Sequence, residues 1–145
     1  MLGIEYGGMN DCLYELYAVT QNDKYAVAAH VFDEDSLFKT VAAGADNALN
    51  NKHANTTIPK FLGAINRYVT TNGKVINGEE VDASVYLTYA EKFFDMVLEN
   101  HTYITGDNSE WEHFGADHVL DAERTNCNCE TCNAYNMLKL SLIHI

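Results

Sequence analysis

Basic residues are scarce in this chain: nine Lys and Arg face twenty-one Asp and Glu in 145 residues, a net charge of −12 with His neutral. Nucleic-acid binding needs clustered cations against phosphates, and no stretch supplies such a cluster, which disfavours that partner class. Long apolar runs are missing as well, and none approaches the roughly 20 residues of a membrane-spanning helix. The opening Met1-Leu2-Gly3-Ile4-Glu5 lacks the basic and apolar regions of a signal peptide, which leaves the compartment open. Proline occurs once, and the alternating pattern of a half-buried strand is nearly absent. What the chain does have is 47% hydrophobic and 11% aromatic residues, enough for a core and too much for wholesale disorder. Its length suits one domain, and a solvated exterior accounts for the acidic surplus.

Four segments carry the helical period. Leu13, Leu16, Tyr17 and Thr20 follow i, i+3, i+4, i+7 with Asn10 or Asp11 as the N-cap, and Tyr25, Ala28, Ala29 and Phe32 repeat the spacing after Gln21-Asn22-Asp23. A third stripe runs through Ile58, Phe61, Leu62, Ile65 and Tyr68 or Val69, with Pro59 expected in the first turn, where a missing N–H does no harm. The fourth covers Tyr86, Ala90, Phe93, Phe94 and Val97, and Gly73 and Gly78 mark a loop before it. The two pairs echo each other: Leu16-Tyr17-x-Val19-Thr20 and Tyr25-x-x-x-Ala29-x-x-Phe32 correspond to Arg67-Tyr68-Val69-Thr70 and Tyr86-x-x-x-Ala90-x-x-Phe93. Helical hairpins cannot cover their apolar stripes alone, so an all-α stack or ring of hairpins is expected, with too few helices here to close a ring. Over residues 101–129 the period lapses into a polar segment, and such segments within domains tend to carry function. The helical pattern resumes at Ala134 and runs through Met137 and Leu138.

Chemistry concentrates in that last third. Cys127, Cys129 and Cys132 fall within six residues while Cys12 stands alone. Neighbours so close strain a disulfide but converge readily on one metal. On an extended strand Glu130 and Cys132 share a face, with Thr131 pointing away. A helix starting near Asn133 would lower the Cys132 thiol pKa, and zinc suits thiolate with carboxylate. Cys127 and Cys129 are candidates for the remaining ligands, and the plainer reading is a set of reduced cysteines in a loop. Glu112, between Trp111 and His113-Phe114, is either an exposed loop carboxylate or a general acid whose pKa aromatic neighbours raise. His53 precedes the third helix and reads first as a cap, with substrate contact as the alternative; Gly7-Gly8 reads as a turn. His113 and His118 are possible ligands on spacing, His30 is structural, and Cys12 packs as a small apolar side chain.

Four strings occur together: Glu5-Tyr6-Gly7-Gly8-Met9-Asn10; His53-Ala54-Asn55-Thr56-Thr57-Ile58-Pro59-Lys60; Thr102-Tyr103-Ile104-Thr105-Gly106-Asp107-Asn108-Ser109-Glu110-Trp111-Glu112-His113-Phe114; and Glu130-Thr131-Cys132-Asn133-Ala134-Tyr135-Asn136-Met137-Leu138-Lys139-Leu140. In this order they resemble the catalytic domain of the β-L-arabinofuranosidases of glycoside hydrolase family 127 and its relative, family 146, over residues 5–140. The resemblance implies an (α/α)6 barrel, here incomplete, and a retaining glycosidase acting on terminal β-L-arabinofuranose of plant-derived glycans. It implies that Glu112 is the general acid/base, that His53 lines the sugar site, and that Glu130 and Cys132 bind zinc. The nucleophile implied is a zinc-bound cysteine from a Cys-Cys pair, which this sequence does not contain, so it is expected beyond the chain, with the isolated chain inactive. Gly106-Asp107 stands where the family has Gly-Gly, and Cys127 and Cys129 fall outside its pattern. Residues 140–145, Leu-Ser-Leu-Ile-His-Ile, read as the translation of a transposase adapter, so the barrel portion is assigned to residues 1–139 and the rest to an expected non-native tail. A noncatalytic helical module closed by zinc on Cys127, Cys129, Glu130 and Cys132 is the alternative.

Overall fold

The computed structural model describes residues 6–141; residues 142–145 of the expected tail, and Glu5 of the first string, lie outside them. Among the described residues the chain forms six helices: α1 (Met9–Thr20), α2 (Asp23–His30), α3 (Asp35–Ala42), α4 (Ala54–Thr71), α5 (Ser84–Asn100) and α6 (Thr131–Leu140). A two-stranded hairpin, β1 (Val75–Ile76) with β2 (Glu79–Glu80), joins α4 to α5. The fold is mostly helical, as expected, and its helix-on-helix packing is compatible with an incomplete helical barrel. α4 is the central element, with α1, α5 and α6 against it, α2 behind α1 and α3 against α5. None of the described helices is long and apolar enough to cross a membrane.

Four phenylalanines tie the helices to the segment that follows them. Phe61 of α4 stacks on Phe93 of α5 with ring centroids 3.9 Å apart, Phe38 of α3 meets Phe61 at 4.8 Å, and Phe114 closes edge-on against Phe93 at 6.4 Å. All four are essentially inaccessible, and burial of each stabilises the fold by roughly 1.5–3 kcal/mol. Phe114 therefore fixes the middle of the long polar segment to the core.

α1 meets α4 through small residues and one polar hub. A Cβ on Gly63 would collide with the Asn10 side chain, which sits in that notch and donates to the Lys60 carbonyl at 3.0 Å and to Asp33 Oδ1 at 3.0 Å. The other Asp33 oxygen accepts from the Tyr14 hydroxyl at 2.7 Å and from Arg67 at 2.6 Å. With its side chain fully buried, Asp33 needs these donors, since an unpaired buried charge is strongly destabilising.

That hub explains one departure from the sequence reading. The buried face of α1 is Asn10, Tyr14 and Tyr17, one position away from the stripe through Leu13 and Leu16, because polar atoms of Asn10 and Tyr14 are satisfied inside by Asp33. α3 was not expected as a helix; at eight residues it is barely two turns of periodic pattern. Pro59 lies inside α4, not in its first turn, because α4 begins at Ala54. The stretch between Gly73 and Gly78 is a tight hairpin whose two-residue turn, Asn77-Gly78, has positive φ at both positions (50° and 83°), the favoured Asn-Gly turn geometry.

Candidate active site

His53 ends the linker before α4 and is its N-cap, with extended backbone. Beside it runs a second stretch of chain: Phe114 N–H donates to the Lys52 carbonyl at 2.9 Å, Asn51 N–H to the Phe114 carbonyl at 2.8 Å, and Ala54 N–H to the Glu112 carbonyl at 2.8 Å. The last of these satisfies one of the amides that a helix start leaves free. Phe114 is locked in the core, so this pairing sets the position of everything just before it.

What precedes Phe114 is a two-residue turn. Glu110 and His113 exchange both backbone hydrogen bonds, at 3.0 and 2.9 Å, and the two residues between them, Trp111 and Glu112, have φ of 48° and 64°. Left-handed backbone is unfavourable for such side chains and persists where surrounding contacts over-determine it. Here the contacts are Trp111 N–H to the Cys127 carbonyl at 2.8 Å, His113 Nδ1 to the Trp111 carbonyl at 2.6 Å, and the Ala54 bond. The turn places Glu112 at its tip, where Oε2 lies 3.2 Å from His53 Nε2. The His113 ring packs edge-on against His53, centroids 5.1 Å apart.

Aromatic enclosure of Glu112, one basis for reading it as an acid, is not what the turn produces. The Glu112 side chain is 53% exposed, Trp111 is largely exposed, and Phe114 points the other way into the core. Left-handed backbone at the tip separates these neighbours, so the partner that organises Glu112 is His53 and not an aromatic wall.

The start of α6 is bound to the same place. Glu110 pairs with Asn128 across an isolated bridge, Asn133 Nδ2 donates to Ser109 Oγ at 2.9 Å inside the core, and Asn136 Nδ2 donates to Asn55 Oδ1 at 3.1 Å at the start of α4. Glu130 is the N-cap of α6 and Cys132 its second residue, so the helix begins two residues before the expected Asn133. The two side chains meet across the first turn of the helix and not along a strand. Burial, then the hydrogen bond and negative charge of Glu130, push the Cys132 thiol above its ordinary value, outweighing the lowering by the Cys132 and Asn133 amides. That direction corrects the expectation from the helix start alone, because the adjacent carboxylate is the nearer charge.

A bare carboxylate oxygen marks this turn: Glu130 Oε2 is buried and has no hydrogen-bond partner among the described residues. Such an atom fits a cation, and thiolate with carboxylate is a donor pair that zinc accepts. The described residues supply this pair and no third His, Cys, Asp or Glu converging on it. Cys127 is exposed and Cys129 half-buried, so the closed four-ligand cage of a noncatalytic zinc module is not formed by these side chains.

Beside His53 and His113 opens a cavity of about 260 Å³ whose other walls include Glu34, Lys52, Thr56 and Lys60. Of these, Thr56 and Lys60 lie within a string already singled out by sequence, whereas Glu34 sits in the turn into α3, with no local signal. The first string reaches the same region, since Gly7 lies directly against the Thr56 backbone. Described residues of all four strings thus converge around the start of α4. His30 and Cys12 lie apart from it. His118 lies apart as well, beside a separate cavity with Asp117.

The sequence profile of a family described as β-L-arabinofuranosidase, GH127 catalytic domain, matches residues 1–143. No curated protein sequence matches the chain.

Proposed function

The chain belongs to the β-L-arabinofuranosidase GH127 catalytic-domain family, a glycoside hydrolase family whose substrates are carbohydrates, and from this premise we propose that it carries the acid/base and half the metal site of a retaining enzyme that removes terminal β-L-arabinofuranose. The observation that carries the reading is the contact between His53 Nε2 and Glu112 Oε2 at 3.2 Å, at the tip of a backbone turn held in left-handed conformation. Strain retained at one exposed carboxylate, with a histidine set against it, is the pattern of a positioned catalytic group.

In the proposed reaction Glu112 protonates the departing glycosidic oxygen and, in the second half, removes a proton from the attacking water. His53 suits both halves. Its Nε2–H donates to Glu112 Oε2 in both protonation states and leaves Oε1 to carry and return the transferred proton, so the carboxyl group keeps one orientation through the cycle. Glu130 and Cys132 are the residues of this chain that would hold zinc. When bound, the metal would keep a cysteine thiolate deprotonated at neutral pH and fixed in position. The attacking cysteine and the remaining ligands come from outside these 145 residues in this reading, and the isolated chain is inactive.

The test is Glu112→Gln in the full catalytic domain, assayed on a β-L-arabinofuranoside with zinc content measured in parallel. Loss of turnover with zinc retained is expected. Unchanged turnover overturns the assignment of Glu112.

A further inference from the structure

Next to His53 the cavity ends on a charged pair for which the acid/base reading has no use. Lys60 is only 6% exposed; its Nζ contacts Glu34 Oε2 and lies 4.2 Å from the centroid of the Tyr6 ring. The Tyr6 hydroxyl donates to that same Glu34 oxygen at 2.9 Å. Both donors occupy Oε2, and among the described residues Oε1 has no hydrogen-bond partner. The Glu34 side chain is 28% exposed and borders the cavity that His53 and His113 line.

Taking two charges out of water is costly, and an apolar pair of the same shape often stabilises a fold equally well, so a buried ion pair is a poor device for stability alone. What this pair achieves is a fixed carboxylate. Burial alone would raise the Glu34 carboxyl, but the hydrogen bonds from Lys60 and Tyr6 prevail and hold it below its ordinary range. One oxygen is clamped, and the other accepts no hydrogen bond from the described residues. The cavity, at about 260 Å³, is near the small end of ligand pockets, roughly 300 Å³, and suits a single sugar ring.

We infer that Glu34 is a specificity-determining residue of the same site, its free oxygen accepting hydrogen bonds from ring hydroxyls of the terminal furanose while Lys60 and Tyr6 hold it in place. This rests on the glycosidase reading above and adds to it a discrimination. A site built to accept from a hydroxyl rejects the sugar that lacks it, because the carboxylate is then left desolvated and unpaired.

The experiment measures binding of methyl β-L-arabinofuranoside to the full catalytic domain by titration calorimetry, in a Glu112→Gln background so that turnover does not intrude. Wild-type hydrolysis of the same glycoside is followed separately. Glu34→Gln is compared with the double variant Glu34→Gln/Lys60→Met, which restores charge balance and keeps the fold if the pair is merely structural; circular dichroism and melting check the fold of each. Recognition by Glu34 predicts that both variants bind roughly tenfold more weakly or worse. Binding restored in the double variant, or unchanged in the single one, overturns the inference. Weakened binding in both, with no hydrolysis by the wild type, sinks the glycosidase reading and leaves the recognition role standing; hydrolysis with unaffected binding does the reverse.

Discussion

Gly7 and Thr56 are in backbone contact: a Cβ placed on Gly7 would stand 2.2 Å from the Thr56 carbonyl oxygen. No side-chain rotamer relieves that clash, because the obstacle is main chain. The contact brings the turn before α1 onto the first turn of α4, three residues past His53, so the packing of α1 and the placement of the site are one event.

Gly7→Ala is therefore expected to destabilise the chain by about 1–3 kcal/mol, the usual range for overpacking, with Gly63→Ala similar because its Cβ would meet the Asn10 side chain. Val19→Ala is the control, at a position 83% exposed, and should stay within about 0.5 kcal/mol. Urea unfolding of the three variants decides it. A Gly7→Ala variant as stable as the control means that α1 and α4 do not approach as described.

Acid sensitivity has an identifiable source in His101, which ends α5 and lies against Phe114. Its burial lowers the imidazole pKa below the ordinary 6.5, and Asp117, 3.1 Å away with poor hydrogen-bond alignment, only partly offsets this. In that window the unfolded chain takes up a proton that the folded chain refuses, so stability falls as pH drops below about 6.5 and recovers as it rises. Denaturant midpoints measured from pH 7.5 to 5.5 should decline in the wild type and decline less in His101→Gln. Parallel curves for the two proteins exclude His101 as the source.

The sequence was most legible where period and burial coincide. Ile58, Phe61 and Leu62 of α4 and Tyr86, Ala90, Phe93 and Val97 of α5 were read as core stripes and are buried. It was least legible where polar atoms are satisfied by distant partners: Asn10 and Tyr14 look like surface residues until Asp33, 23 and 19 positions away, supplies their acceptors. The pairing of Glu112 with His53 spans 59 positions and depends on left-handed backbone at two residues without glycine. No periodicity announces that, so resemblance between strings pointed to these residues while composition could not. Glu34 went unnoticed for the same reason, its partners Tyr6 and Lys60 being 28 and 26 positions away. The Asn77-Gly78 turn, by contrast, carries a local signal in the Asn-Gly pair itself.

If Glu130 and Cys132 are half of a zinc site, removing either should lower zinc affinity of the full catalytic domain by more than the roughly 10–100-fold expected when a ligand merely loses a hydrogen-bonded neighbour. Glu130→Gln is the sharper variant, since it keeps the cap geometry of α6 and removes the charge. Cys127→Ser and Cys129→Ser should leave zinc untouched, because no third donor among the described residues converges on the Glu130 and Cys132 pair. Zinc stoichiometry after dialysis against a weak chelator reads all four. Loss of metal in the Cys127 or Cys129 variants would favour the closed structural cage instead.

The role of Glu112 can be separated from simple damage to the site by varying the leaving group. A general acid matters most when the departing oxygen is basic, so Glu112→Gln should slow release of methanol from a methyl arabinofuranoside by about 10²–10⁴-fold. Release of 4-nitrophenol, which leaves well without a proton, should slow much less in the glycosylation step. A His53→Ala variant removes the 3.2 Å contact that orients the carboxyl group but leaves the proton in place, so its loss should be smaller than that of Glu112→Gln and should follow the same leaving-group trend. Equal slowing for both substrates in Glu112→Gln would mean that the carboxylate supports the site without donating a proton. The catalytic acid would then have to be sought elsewhere in the domain.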